Sequence, residues 1–139
     1  MYMIKKILIL FMLVFIITGC TSNKLSDDVV NARNNVLSEI GVTDDDSVIV
    51  KNNDKNNPIY TRYEINGNEV TVYTYLFFNN KDEYDKECDA LKSTKYDISK
   101  FDVAYVIKLK INKYLSQEDN VKDSIISKYT NDSNYEIVY

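Results

Sequence analysis

The sequence predicts an α+β domain, and three observations carry that reading. A run with helical spacing lies between Asp27 and Ile40; two alternating runs flank Asn66-Gly67; and two later stretches open like capped helices. With the short runs between them, these give the order α-β-β-β-α-β-α-β. The expected architecture is a single small domain with a mixed or antiparallel sheet of about four to five strands and helices mainly on one face.

Ser26 can cap the first helix, in which Val29, Ala32, Val36, Leu37 and Ile40 recur at three- and four-residue spacing. Asp27 and Asp28 suit its positive end, and Gly41 suits its stop. The other face, with Asn31, Arg33, Asn34, Asn35 and Ser38, reads as solvated. An acidic turn at Asp44-Asp45-Asp46 precedes a short strand from Ser47 to Val50, and Lys51 to Pro58 reads as a polar loop.

Ile59 to Ile65 and Asn68 to Phe78 then form two strong strands. The Asn66-Gly67 pair favours a two-residue type I′ turn, whose central positions both need positive φ. That turn sets Ile65 opposite Asn68, Tyr63 opposite Val70, Thr61 opposite Val72 and Ile59 opposite Thr74. These residues, with Leu76 and Phe78, make the core face. The opposite face carries Tyr60, Arg62, Glu64, Glu69, Thr71, Tyr73, Tyr75 and Phe77.

Asn80 and Glu83 form a capping box for a helix with Tyr84, Cys88 and Leu91 along one stripe, ending near Ser93. A polar connection leads to a strand from Asp102 to Ile111, where Val103, Tyr105, Ile107, Leu109 and Ile111 alternate with Lys108 and Lys110. Ser116 and Asp119 resemble another capping box, with Val121, Ile125, Ile126 and Tyr129 inward. Tyr135 to Tyr139 reads as a final strand. There is no repeat and no Gly/Ser linker, and proline occurs once, at Pro58.

The first residues have a different character. Lys5 and Lys6 precede an apolar run from Ile7 to Ile17, too short for the roughly 20 apolar residues of a spanning helix. The run ends in Ile17-Thr18-Gly19-Cys20, which resembles the lipobox of bacterial lipoproteins. That resemblance covers only this segment. It implies that residues 1–19 are a cleaved signal peptide and that the Cys20 thiol carries a diacylglyceryl group. Two acyl chains hold a protein stably on a bilayer. Residues 20–25 would be a tether and 26–139 the domain. At no more than about 3.6 Å per residue, the tether keeps the domain close to the membrane. The expected location is therefore the extracytoplasmic side of the cell membrane. The abundance of Asn, Lys, Ile and Tyr, with no His or Trp, suggests a low-GC, Gram-positive source.

Composition narrows the chemistry. A formal net charge of −4, more negative once Lys5 and Lys6 are removed, disfavours nucleic acid as a partner. With no histidine, Ser-His-Asp catalysis and the usual zinc sites are excluded. If Cys20 is lipidated, Cys88 has no disulfide partner; on an apolar stripe it reads as a packing residue. Asp44, Asp45 and Asp46 lack the alternating ligands and central glycine of a calcium loop. Asp82, Glu83, Asp85, Glu87 and Asp89 read as a solvated helix face with Lys81 and Lys86 as ion-pair partners. No metal, cofactor or catalytic residue is expected; the alternative that the acidic residues leave open is a carboxylate pair of the glycosidase kind, whose separation in space the sequence does not give.

What remains is the tyrosine-rich sheet face. Tyr60, Tyr73, Tyr75 and Phe77, with Arg62 and Glu69 beside them, could contact a peptide, glycan or protein, since tyrosine combines contact area with a hydroxyl. A second helix, or lateral packing of Tyr60 on Tyr73, accounts for the same face with no ligand. The expected role is a protein-interaction or inhibitory module acting on a membrane-proximal envelope protein. The alternative is a solute- or wall-fragment-binding accessory of a transporter or envelope enzyme.

Overall fold

The computed structural model describes residues 24–41, 46–54 and 57–138. The leader, Cys20, Asp44 and Asp45 lie outside the described residues. Among the described residues the elements run α1 (Asp27–Gly41), β1 (Ser47–Asn52), β2 (Ile59–Asn66), β3 (Glu69–Phe77), α2 (Lys81–Leu91), β4 (Asp97–Phe101), β5 (Val106–Leu115), α3 (Val121–Thr130) and β6 (Tyr135–Val138). The strands form one antiparallel sheet in the order β4-β5-β3-β2-β1-β6. The fold is α+β, with six strands, slightly more than the pattern suggests.

The additional strand is β4, which the sequence presents as a polar connection. Only Ile98 and Phe101 of this edge strand are partly buried, so there is no alternation to read. Asp102 to Tyr105 is accordingly a turn rather than the start of β5. The Ala104 N–H donates to Phe101 O at 3.1 Å, and Tyr105 adopts a positive φ of 53°. Val103, expected on the core face, is 62 % exposed at this turn.

The β2–β3 hairpin forms two residues out of the expected register. Asn66 pairs with Glu69, Ile65 with Val70 and Tyr63 with Val72, so the turn residues are Gly67 and Asn68. Of these two, Gly67 alone has positive φ, at 60°, which fits a turn with glycine first (type II′) rather than type I′. A shift of two preserves which side chains share a face, because strand side chains alternate with period two. The expected division into two faces therefore survives.

On one face, α2 sets Tyr84, Cys88 and Leu91 against Leu76, Phe78, Ile107 and Leu109. Beside it, α3 sets Val121 and Ile125 against Val48, Val50, Tyr63, Val70 and Val72. The opposite face is covered by α1, whose Val36 and Ile40 pack on Ile49, Tyr75, Phe77 and Val106. At the helix starts, Ser26 Oγ accepts from Val29 N–H at 3.5 Å and Asn80 Oδ1 accepts from Glu83 N–H at 2.9 Å. The third cap lies four residues later than read: Asn120 Oδ1, not Ser116, caps α3 by accepting from Asp123 N–H at 3.2 Å. Ser116 Oγ instead accepts from Glu118 N–H at 3.1 Å, closing a local turn.

Candidate functional site

The tyrosine-rich face assembles as the register requires, and α1 lies over it. Tyr75 is 1 % exposed and Phe77 5 %, so neither offers a contact surface in this fold. Tyr60 and Tyr73 are half-buried at its margins. Tyr60 stands opposite Tyr75 and contacts the Phe77 ring at 5.4 Å, rather than packing on Tyr73. Lys108 lies 4.6 Å from the Tyr73 ring centroid and 5.4 Å from that of Tyr75, a cation–π arrangement that places its charge against the ring faces.

Two arginines clasp α1 to the sheet. Arg62 Nη1 donates to Glu39 O at 3.4 Å and Ile40 O at 3.2 Å, meeting carbonyls at the negative end of the helix. Its Nε sits 3.3 Å from Glu64 Oε1 as an ion pair but lacks hydrogen-bond geometry, which leaves that N–H buried without an acceptor among the described residues. Arg33, on the helix face whose composition predicts solvent, is half-buried instead. It donates through Nε to Ala104 O at 3.0 Å and through Nη2 to Phe78 O, with its guanidinium 5.6 Å from the Phe77 ring centroid. Burial pulls its pKa below the usual arginine range. Glu69, at the far end of β3, pairs with Lys113 at 2.9 Å.

The opposite face retains a cleft of about 320 Å³, between α3 and the end of β5. Its walls include Tyr63, Tyr114 and Leu115; Gln117, Glu118, Ser124 and Lys128 bring polar atoms to it. The Tyr63 hydroxyl is hydrogen-bonded to that of Tyr129, whose ring meets Tyr135 edge-on at 5.1 Å. Burial raises the pKa of Tyr63, Tyr114 and Tyr135 above the ordinary phenol value, so at neutral pH all three remain uncharged hydroxyls. Lys128 stands 5.3 Å from the Tyr129 ring centroid. Neutral hydroxyls, an amide, one cation and one anion can orient a polar ligand against aromatic walls.

The sequence pattern ends this strand at Ile111 and so gives no sign of Tyr114. The β3–β5 pairing passes from Val72 opposite Asn112 to Tyr73 opposite Lys110, so Ile111 is the extra residue of a bulge. The bulge resets the alternation. Beyond it, Asn112 and Tyr114 share the face of Val72 and Val70, where the cleft lies. The apolar exposure of Tyr114 at 37 % and Leu115 at 69 % follows from the same continuation of β5.

A second groove of about 300 Å³ lies between α1 and the β4–β5 turn, lined in part by Ala32, Glu39, Phe101 and Val103. Glu87, read as part of a solvated helix face, is only 7 % exposed; burial raises its carboxyl pKa. The Lys81–Asp85 pair forms on the exposed side of α2 as the spacing suggests. Cys88 is buried at 7 % exposure in the α2 cluster. Tyr84 of the same cluster donates to Asp102 Oδ1 at 2.5 Å, tying α2 to the β4–β5 turn.

Compared with protein-family models, curated proteins and solved structures, the chain has no match.

Proposed function

We propose that this chain is a lipid-anchored extracytoplasmic binding module that engages a membrane-proximal envelope protein through the cleft between α3 and β5. It acts by binding rather than catalysis, without a cofactor and without nucleic acid. Cys20 is its membrane anchor.

The observation that carries the reading is the position of the cleft relative to the chain's entry. Arg33 reaches Phe78 and Ala104 while Ile40 reaches Arg62, so α1 runs antiparallel to β3 and begins at the Phe77 end of the sheet. The cleft lies at the other end, where Ser116 N–H donates to Asn68 O at 2.7 Å. Nine residues of β3 separate the two ends, about 30 Å at strand rise. An anchor four residues before Lys24 would hold the Phe77 end toward the bilayer and present the cleft outward. Among the described residues no helix is long and apolar enough to cross a membrane.

The test has two parts, both on the natural full-length product. Mass spectrometry of the mature N-terminus should find Cys20 first and diacylglyceryl-modified. After crosslinking in the cells of origin, Tyr114→Ser combined with Lys128→Glu should lose the envelope protein recovered with wild type while keeping the wild-type circular dichroism spectrum. An intact leader contradicts the anchoring; unchanged recovery contradicts the cleft. The volume of the cleft, at the lower bound of small-molecule sites, favours a second reading in which a solute or wall fragment occupies it. Calorimetric titration with soluble wall fragments distinguishes that reading, because Tyr114→Ser would then abolish the heat of binding.

A further inference from the structure

We propose that the outer edge of β5, from Asn112 to Leu115, accepts an extended peptide segment of a partner protein as an added antiparallel strand. The inference rests on backbone geometry and does not depend on the cleft.

β5 is twice as long as the strand beside it. β4 pairs only with Val106 to Lys110, whereas β3 pairs along β5 as far as Leu115. Among the described residues the four beyond Ile111 thus have a strand neighbour on one side only, and Asn112, Lys113, Tyr114 and Leu115 are all exposed. Which amides face outward follows from the ladder. Ser116 N–H donates to Asn68 O in the register that sets Glu69 opposite Leu115. Bonded pairs alternate in an antiparallel ladder, so Tyr114 and Asn112 bond to β3, and Lys113 and Leu115 turn their N–H and C=O outward. An independent contact agrees: Lys113 N–H donates to the side-chain Oδ1 of Asn112 at 2.9 Å, leaving it free of the β3 ladder.

These outward groups determine the occupant. Two donor–acceptor pairs two residues apart, about 7 Å along the strand, match alternate residues of an extended chain. The same edge is already filled in this way one level up, by β4. Pairing two copies of this chain about Lys113 would instead set two lysines directly opposite one another, a like-charge arrangement that destabilises a cross-strand pair; the exposed ion pair that each makes with Glu69 at 2.9 Å contributes little against it. The Asn112 side chain guards the edge by occupying the amide that an incoming strand must reach, a local counterpart of the devices that keep edge strands from pairing indiscriminately. An added strand displaces that side chain.

A fluorescein-labelled peptide of five alternating Thr and Val residues, titrated into the full chain, serves as the probe. Wild type should give a saturating rise in anisotropy. Asn112→Ala removes the guard and should tighten binding about fivefold, the scale of one hydrogen bond. Asn112→Asp, which retains an acceptor, should bind like wild type. Lys113→Pro deletes an outward N–H that the β3 ladder does not use and should reduce binding at least about tenfold. The same peptide N-methylated at alternate residues should not bind. Equal binding by folded Asn112→Ala and wild type overturns the proposal, even if the proline variant fails to fold. So does retained binding of the N-methylated peptide. Conversion of Asn112→Ala to a dimer by sedimentation would assign the edge to a second copy and overturn it as well.

Discussion

The two faces of this sheet invert what their compositions suggest. The face richest in tyrosine lies under α1, with Tyr75 almost fully buried, while the face that alternates like ordinary core retains an accessible cleft. One helix lies centrally on the aromatic face, clasped by Arg33 and Arg62. Two helices share the other face, each over its own strands, and a gap remains beside α3. Aromatic density on a strand therefore reports the size of the side chains to be packed. Accessibility depends on how many helices cover a face and where they stop.

The largest effect is expected at Tyr75. Replacing this side chain by alanine beneath α1 should cost about 3 to 5 kcal/mol, the range for deleting a buried aromatic ring, read as a lowered urea midpoint. A cost below about 0.5 kcal/mol, the scale of an ordinary surface change, would mean that α1 does not seal this face. Next in size is Arg33→Ala, which leaves Phe78 O and Ala104 O without their charged donor and should cost about 1.5 to 3 kcal/mol. Protection of α1 amides in hydrogen exchange should fall with it, whereas α3 should be little changed.

Glu87 gives a smaller effect of opposite sign. Burial raises its carboxyl pKa, so the folded chain holds this proton more tightly than the unfolded chain does. Its stabilising contribution is complete below the unfolded value of about 4.3 and is lost as pH rises through the higher folded value. Glu87→Gln should therefore be more stable than wild type at pH 7, with the difference closing near pH 4 in melting curves. The smallest change belongs to the open face. Tyr114→Ser, at the cleft wall, should alter stability by no more than about 0.5 kcal/mol, so a change in its binding can be separated from a loss of fold.

Much of this architecture is legible in the chain because it is encoded locally. The Ser26 and Asn80 caps, the spacing of Val29, Val36 and Ile40, and the alternation through β2 and β3 each need only near neighbours to be read. The misread features depend on partners distant in sequence. Asp97 to Phe101 becomes a strand because β5 offers it an edge. Arg33 leaves solvent because two carbonyls, from Phe78 and Ala104, await it. Whether Tyr60, Tyr73, Tyr75 and Phe77 meet a ligand or a helix is a question of where α1 docks, which periodicity does not specify. Tyr114 lies beyond the Ile111 bulge, where the alternation restarts out of phase.

The most direct measurement places a photoreactive benzoylphenylalanine at position 114 or at position 73 of the full chain and irradiates the cells of origin. A crosslink to an envelope protein from position 114, with none from position 73, is the predicted result. Crosslinking from position 73 with none from 114 would show that the tyrosine-rich face, not the cleft, meets the partner, and would contradict the account.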